Sequence, residues 1–150
     1  MTVTRELPCG NSNFLVDFGF GDSRSVARGF AEVIFPQFIA GSAGWVQDAS
    51  PAPMNIENSN TAPDNHIILK RGVTGNLDLY KWWDKACRGK APQRRAMKIE
   101  LLGEDRSTVV LTWRFRNVRP VSLSYSPLRA IEGGIVMETV VMAFESMAMY

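Results

Sequence analysis

Apolar and polar residues alternate most clearly through "TVVLTWRFRN". Val109, Leu111, Trp113 and Phe115 fall on one side of an extended chain, and Val110, Thr112, Arg114 and Arg116 on the other. "AMKIELL" just before it repeats the pattern. Met97, Ile99 and Leu101 oppose Lys98 and Glu100, and "GEDRS" between the two runs reads as a hairpin loop. Near the N-terminus, "NFLVDFGFG" alternates at Phe14, Val16 and Phe18, and "SVARGFAEVIF" supplies core candidates Val26, Phe30 and Ile34. A further strand is expected at "HIILK", and Pro120 is expected to interrupt the chain before "VSLSY". The closing run "GIVMETVVMAFESM" is apolar on both sides. Val136, Val140, Met142 and Phe144 face one way, and Ile135, Met137, Val141 and Ala143 the other. A strand with two apolar faces must bury both, and one small domain has little to cover the second. A partner subunit is therefore expected against it.

One segment follows a helical period. Leu79, Trp82, Trp83, Ala86 and Cys87 fall at i, i+3, i+4, i+7 and i+8, a single apolar face. Asn76 suits the N-cap, and Gly89 a left-handed C-terminal stop with Pro92 beyond it. Asp84 and Arg88 are spaced to pair on the wet side. By contrast, about 40–65 is rich in Pro, Asn, Ser and Gly and has no period, so it reads as a long irregular loop or hairpin. The expected fold is mainly β: an antiparallel β-sandwich or barrel of about six or seven strands with one flanking α-helix. Its 150 residues suit a single domain.

Composition adds mostly exclusions. A net charge of +2, with scattered basic residues, makes no case for nucleic acid or an anionic membrane. In "WRFRNVR" the period of two separates the arginines from the aromatics, so they cannot form one stacking platform. No apolar run approaches the ~20 residues of a membrane span, and no secretory signal is visible in "MTVTRELPCGNSN". Synthesis in the cytoplasm is expected. Two cysteines, Cys9 and Cys87, and a single histidine, His66, do not make a structural zinc set, and the thiols are expected to be reduced. Cys87, on the apolar helix face, is expected to be buried.

Three chemical readings of "HIILKRGVTGNLDLYKWW" compete: a phosphate loop, a redox or metal site, and a packing device. A P-loop needs G-x-x-x-x-G-K-[ST]. Here the two glycines are three apart and Asn76 stands where the lysine should be. No nucleophile elbow accompanies His66. Glu138 and Glu145, if buried, need partners, with Arg114, Arg116 and Arg119 as candidates. Packing is the preferred reading. No catalytic, cofactor-binding or metal-binding residue is assigned, and no cofactor or enzyme activity is expected.

The order of "IILKRG", "LDLYKWW", "WRFRNVRPVSLSYSPL" and "GGIVMETVVMAFESM" resembles the tube proteins of contractile phage tails and the inner-tube proteins of extracellular contractile injection systems. "NFLVDF" and "GFAEV" add to it. The ending Phe144-Glu145-Ser146 departs from the His-Glu-Gly type common in that family. The resemblance implies a structural protomer whose hexameric rings stack into a hollow tube inside a sheath. Its partners would be further copies of itself, sheath protein, baseplate or spike proteins, tube-cap proteins and cargo in the lumen. The particle would assemble in the cytoplasm and be released. A tube-initiating or tube-capping ring protein is an alternative within the family, and a monomeric β-barrel ligand-binding module is one outside it. Candidate subunit-interface residues are Met54, Ile56, Trp82, Trp83, Val136, Val140, Val141, Met142 and Phe144.

Overall fold

A computed structural model describes residues 8–19, 30–38, 65–89 and 94–150. The predicted loop, with Met54 and Ile56, lies outside the described residues except for Asn65. Val26 lies outside them as well. The described elements are β1 (Phe14–Asp17), β2 (Phe30–Ile34), β3 (His66–Gly72), α1 (Asp78–Cys87), β4 (Arg95–Leu102), β5 (Val109–Tyr125), β6 (Met137–Ala143) and β7 (Ser146–Met149). The fold is thus mainly β, with seven strands and one helix among the described residues. All strand pairs are antiparallel, in the order β1-β4-β5-β6-β3-β2, with β7 also on β5. Among the described residues no ladder joins β1 to β2, so the sheet is not closed.

Strand β5 organises the rest. Its first part pairs with β4, from Leu102↔Val109 to Arg95↔Val118, and its last part with β6, from Arg119↔Ala143 to Tyr125↔Glu138. The change of neighbour occurs at Asn117, which sits at φ 53°, a left-handed conformation that asparagine tolerates better than most residues. Pro120 does not interrupt the strand as expected. Beyond Val118 the β4 ladder has ended, which leaves that side of β5 unpaired among the described residues, and a bulge between Pro120 and Ser122 interrupts the β6 ladder where the N–H is missing. The closing run breaks where β5 turns. β6 ends at Ala143, β7 begins at Ser146, and the Glu145 N–H donates to the Arg116 carbonyl at 3.0 Å across the gap. The Asn117 amide donates to the Glu145 carboxylate at the same corner, and Arg94 lies 3.9 Å from that carboxylate.

The bend lets the two halves of the sheet share one core. Val16 and Ile99 from one half meet Leu69, Val140 and Met142 from the other, with Phe115 and Phe144 between them, their rings 4.8 Å apart. Aromatic contacts span the open path where no ladder does. Phe18, after β1, meets Phe30 of β2 at 5.8 Å, and Phe35, after β2, meets Trp113 of β5 at 5.0 Å. The second apolar face of the closing strand is smaller than its sequence suggests. Val141 is buried with Ile68 and half-buried Ile34, but the strand begins only at Met137, and Ile135 is exposed.

Helix α1 follows a turn fixed by its own side chains. Thr74 Oγ1 accepts from the Asn76 N–H (3.2 Å), and Asn76 Oδ1 accepts from the Asp78 N–H (2.9 Å), so Asn76 serves the helix start from one residue outside the cap position at Leu77. Gly89 ends the helix at φ +68°, and Arg88 pairs with Asp84 at 3.1 Å, both as the sequence predicts. Leu79 and Trp82 are buried, Trp83 and Ala86 are half-buried, and Cys87 is exposed. Burial of Cys87 was the wrong expectation: the apolar face is too wide for the sheet to cover, and its Cys87 edge remains outside.

The β4–β5 hairpin tip is held by Asp105. Its carboxylate accepts from the N–H groups of Ser107 (3.1 Å) and Thr108 (3.0 Å) and from the Thr108 hydroxyl. Hydrogen bonds from Thr108, then Ser107, hold its pKa well below the ordinary carboxylate range. A depressed folded-state pKa contributes stability above the unfolded value of about 3.9 and loses it as pH falls through the folded value. We therefore expect the tip to stay ordered through pH 5 and to loosen only in stronger acid. A carboxyl titration by NMR should give Asp105 a midpoint clearly below those of the other aspartates. A midpoint near 3.9 would contradict this reading.

Candidate functional site

Three features of the described residues are candidates for a functional site. At one rim of the core, β3, β6 and β5 place Arg71, Glu138 and Tyr125 in adjacent register positions. Arg71 Nε donates to Glu138 Oε1 at 3.0 Å, and both side chains are almost wholly buried. The Arg71 guanidinium also stands 5.6 Å over the Phe30 ring. Burial and then the Glu138 carboxylate raise the Tyr125 pKa above the ordinary phenol value. Glu138 thus has a partner, but it is Arg71, not Arg114, Arg116 or Arg119. Glu145 is exposed and turns to Asn117 and Arg94. Lys98 donates instead to Glu100 on the outer face of β4 (2.8 Å), which raises its pKa.

The second feature is an arm, Ser126–Val136, between β5 and β6. Its base is tied down: Ser126 N–H donates to the Met137 carbonyl (2.9 Å), Met137 N–H to Ser126 Oγ (2.8 Å), and Val73 N–H to the Val136 carbonyl (2.8 Å). Gly72, the glycine of the Lys-Arg-Gly strand end, makes room for it, since a Cβ there would lie 3.3 Å from Ile135 Cγ2. The rest of the arm projects. Leu128 is 82% exposed, Ile131 98% and Ile135 78%, and Leu128 and Ile135 line an open hollow of about 640 Å³. Scattered exposed apolar residues are ordinary, but three large aliphatics on one short loop are a patch.

The third feature is the outward side of α1. Leu77, Tyr80 and Trp83 succeed one another at i, i+3 and i+6. Leu77 and Tyr80 are exposed, and the Tyr80 and Trp83 rings lie 6.4 Å apart. The helix therefore carries two apolar stripes, one spent on the core through Leu79 and Trp82 and one left outside.

The predicted interface residues divide accordingly. Trp82, Val140, Met142 and Phe144 belong to the protomer core, and Val141 to the small cluster with Ile68. Trp83 and Val136 are half-buried and border the outward helix stripe and the arm. The sequence pattern placed Ile135 on a strand, but that strand begins only at Met137. Pro127 and Gly133-Gly134 bracket Leu128 and Ile131, which marks a loop there. Among the described residues no group of three or more His, Cys, Asp or Glu side chains could hold a metal ion.

The described residues thus form a bent antiparallel sheet with one packed helix and apolar residues left on its outside. The chain belongs to the T4-like virus tail tube protein gp19 family, whose sequence profile spans residues 10–148. That family is structural and not enzymatic, and membership of it makes the chain a tail tube family protein. No curated protein sequence matches the chain. Among solved structures, it is similar to a chain of the sheath/tube terminator of an extracellular contractile injection system, PVC, in the extended state. The identity is 19%, the TM-score 0.69, and the match covers 98% of this chain and 99% of that one. A chain of the PVC sheath–tube complex matches at 17% identity and TM-score 0.67 over 97% and 93%. A chain of the anti-feeding prophage tube-terminating cap matches at 17% identity and TM-score 0.67 over 100% and 95%. At these identities the likeness concerns the fold.

Proposed function

We propose that this chain is a subunit of the inner tube itself, its copies forming hexameric rings that stack into a hollow tube for delivery through a target envelope. The observation that carries this reading is the pair of apolar surfaces that the protomer does not bury, the Ser126–Val136 arm and the outward stripe of α1. In a ring-forming subunit such surfaces are covered by neighbours. Membership of the tube family supplies the architecture. The partners on this reading are further copies, a sheath around the tube, baseplate or spike proteins at one end and a cap at the other. The particle assembles in the cytoplasm and is released. Contraction of the sheath drives the tube, and the protomer's task is rigidity: a core shared by both halves of the sheet and a corner tied by Asn117 and Glu145 resist bending.

The fold likeness to a tube terminator and a tube-terminating cap favours a second reading, a ring that ends the tube. Sedimentation over a concentration series separates the two. A tube subunit gives a ring-sized species that grows into longer stacks. A terminator gives a ring that does not grow. A monomer at every concentration would contradict both readings.

A further inference from the structure

We propose that the Ser126–Val136 arm of one copy seats its apolar tip in a cleft of a second copy, at the open edge between β1 and β2. This rests on the tube-subunit reading and names the contact by which copies join. The cleft has a volume of about 410 Å³. Its walls include Phe14, Phe35, Leu101 and Trp113, with Cys9 on one side and Glu32 at the rim. It lies where, among the described residues, no ladder joins β1 to β2.

The arm supplies what the cleft lacks. Leu128, Ile131 and Ile135 stand almost fully in water on a base pinned by three hydrogen bonds. Its two ends are therefore fixed, which lowers the ordering entropy that opposes docking. Every copy carries both parts, at different places on the surface. The contact is heterologous, and such contacts close into rings or continue as stacks.

The charges agree as well. The arm holds an exposed Arg129–Glu132 pair at 3.1 Å, and Glu32 of the cleft wall pairs with half-buried Lys70 of β3 at 3.9 Å. Pairs within reach of water are weak. On docking they can exchange, Arg129 to Glu32 and Glu132 to Lys70, with no charge left over. A second copy is therefore a better fit than an arbitrary apolar partner, which would bring no matching pair.

Cys9 makes the contact testable by covalent capture. A disulfide requires Cβ atoms about 3.5–4.5 Å apart, so only a tip inside the cleft can reach that thiol. The full-length Ile131→Cys, Cys87→Ser variant is assembled and then oxidised with diamide, which takes up the two electrons and two protons released by the thiols. The proposal expects a ladder of dimers, trimers and larger species on a non-reducing gel, lost when Cys9→Ser is added. It also expects Arg129→Glu and Glu32→Arg each to raise the assembly concentration several-fold, and the two together to restore it. Multimers in the centrifuge with no ladder, an equally strong ladder when the new cysteine stands on the helix (Lys85→Cys, Cys87→Ser) instead of on the arm, or no restoration in the charge exchange would each overturn the contact while leaving the tube reading standing. A wild-type chain that forms no multimers would overturn the tube reading, and the contact with it.

Discussion

Replacing Arg71 with methionine should destabilise the protein by about 3–5 kcal/mol, because it leaves the Glu138 carboxylate buried without its partner. The two side chains meet at 3.0 Å in almost complete burial, so water cannot take the place of the guanidinium. Methionine keeps an apolar body near Phe30, so the loss reports chiefly on the charge. Arg71→Met combined with Glu138→Leu removes both charges and should recover most of the loss. Urea titrations at neutral pH test both statements. A neutral-pH deficit below about 1 kcal/mol would show that the pair is solvated and of little consequence.

Trp82→Ala should cost about 3–5 kcal/mol, and Trp83→Ala much less, although the two residues are adjacent. Trp82 is 3% exposed, packs edge-on to Phe18 with ring centroids 5.6 Å apart, and has the Arg95 guanidinium 5.9 Å from its centroid. Its removal opens a cavity where the helix meets the residues after β1. Trp83 lies on the outward stripe with Tyr80. For a chain of this size, about 2–4 °C of melting temperature accompanies each kcal/mol, so the Trp82 variant should melt roughly 6–20 °C lower. The Trp83 variant should melt close to wild type but assemble less well if its stripe is an assembly surface. Equal losses of melting temperature in both variants would contradict this division of the helix.

Local pattern made some of the fold legible. The β4–β5 hairpin, the alternation through Trp113 and Phe115, the helix span, the Gly89 stop and the Asp84–Arg88 pair all follow from periods and turn chemistry within a few residues. What failed depended on neighbours distant in sequence. The partner of Glu138 is set by β3 lying beside β6, and the two residues are 67 positions apart, so nearby arginines were misleading candidates. Pro120 looked like a break because its tolerance depends on β4 having already left that side of β5. The closing run looked continuous because its apolar residues carry no mark of the corner. That corner is made by the backbone of Asn117 on the facing strand. The arm was missed because Ile135 keeps the period of a strand that has not yet begun. The family resemblance, by contrast, was carried by the order of motifs, and order survives errors about which strand neighbours which.

On the tube-subunit proposal, the apolar surfaces left outside the chain's own core are where its copies meet. Cryo-electron microscopy of the purified, self-assembled protein tests this most directly. Rings with an open bore, stacked end to end, are expected, with Leu128, Ile131 and Ile135 and the Leu77–Tyr80–Trp83 stripe covered by neighbouring copies. Assemblies in which both surfaces remain in solvent, or a chain that stays monomeric at every concentration imaged, would contradict it.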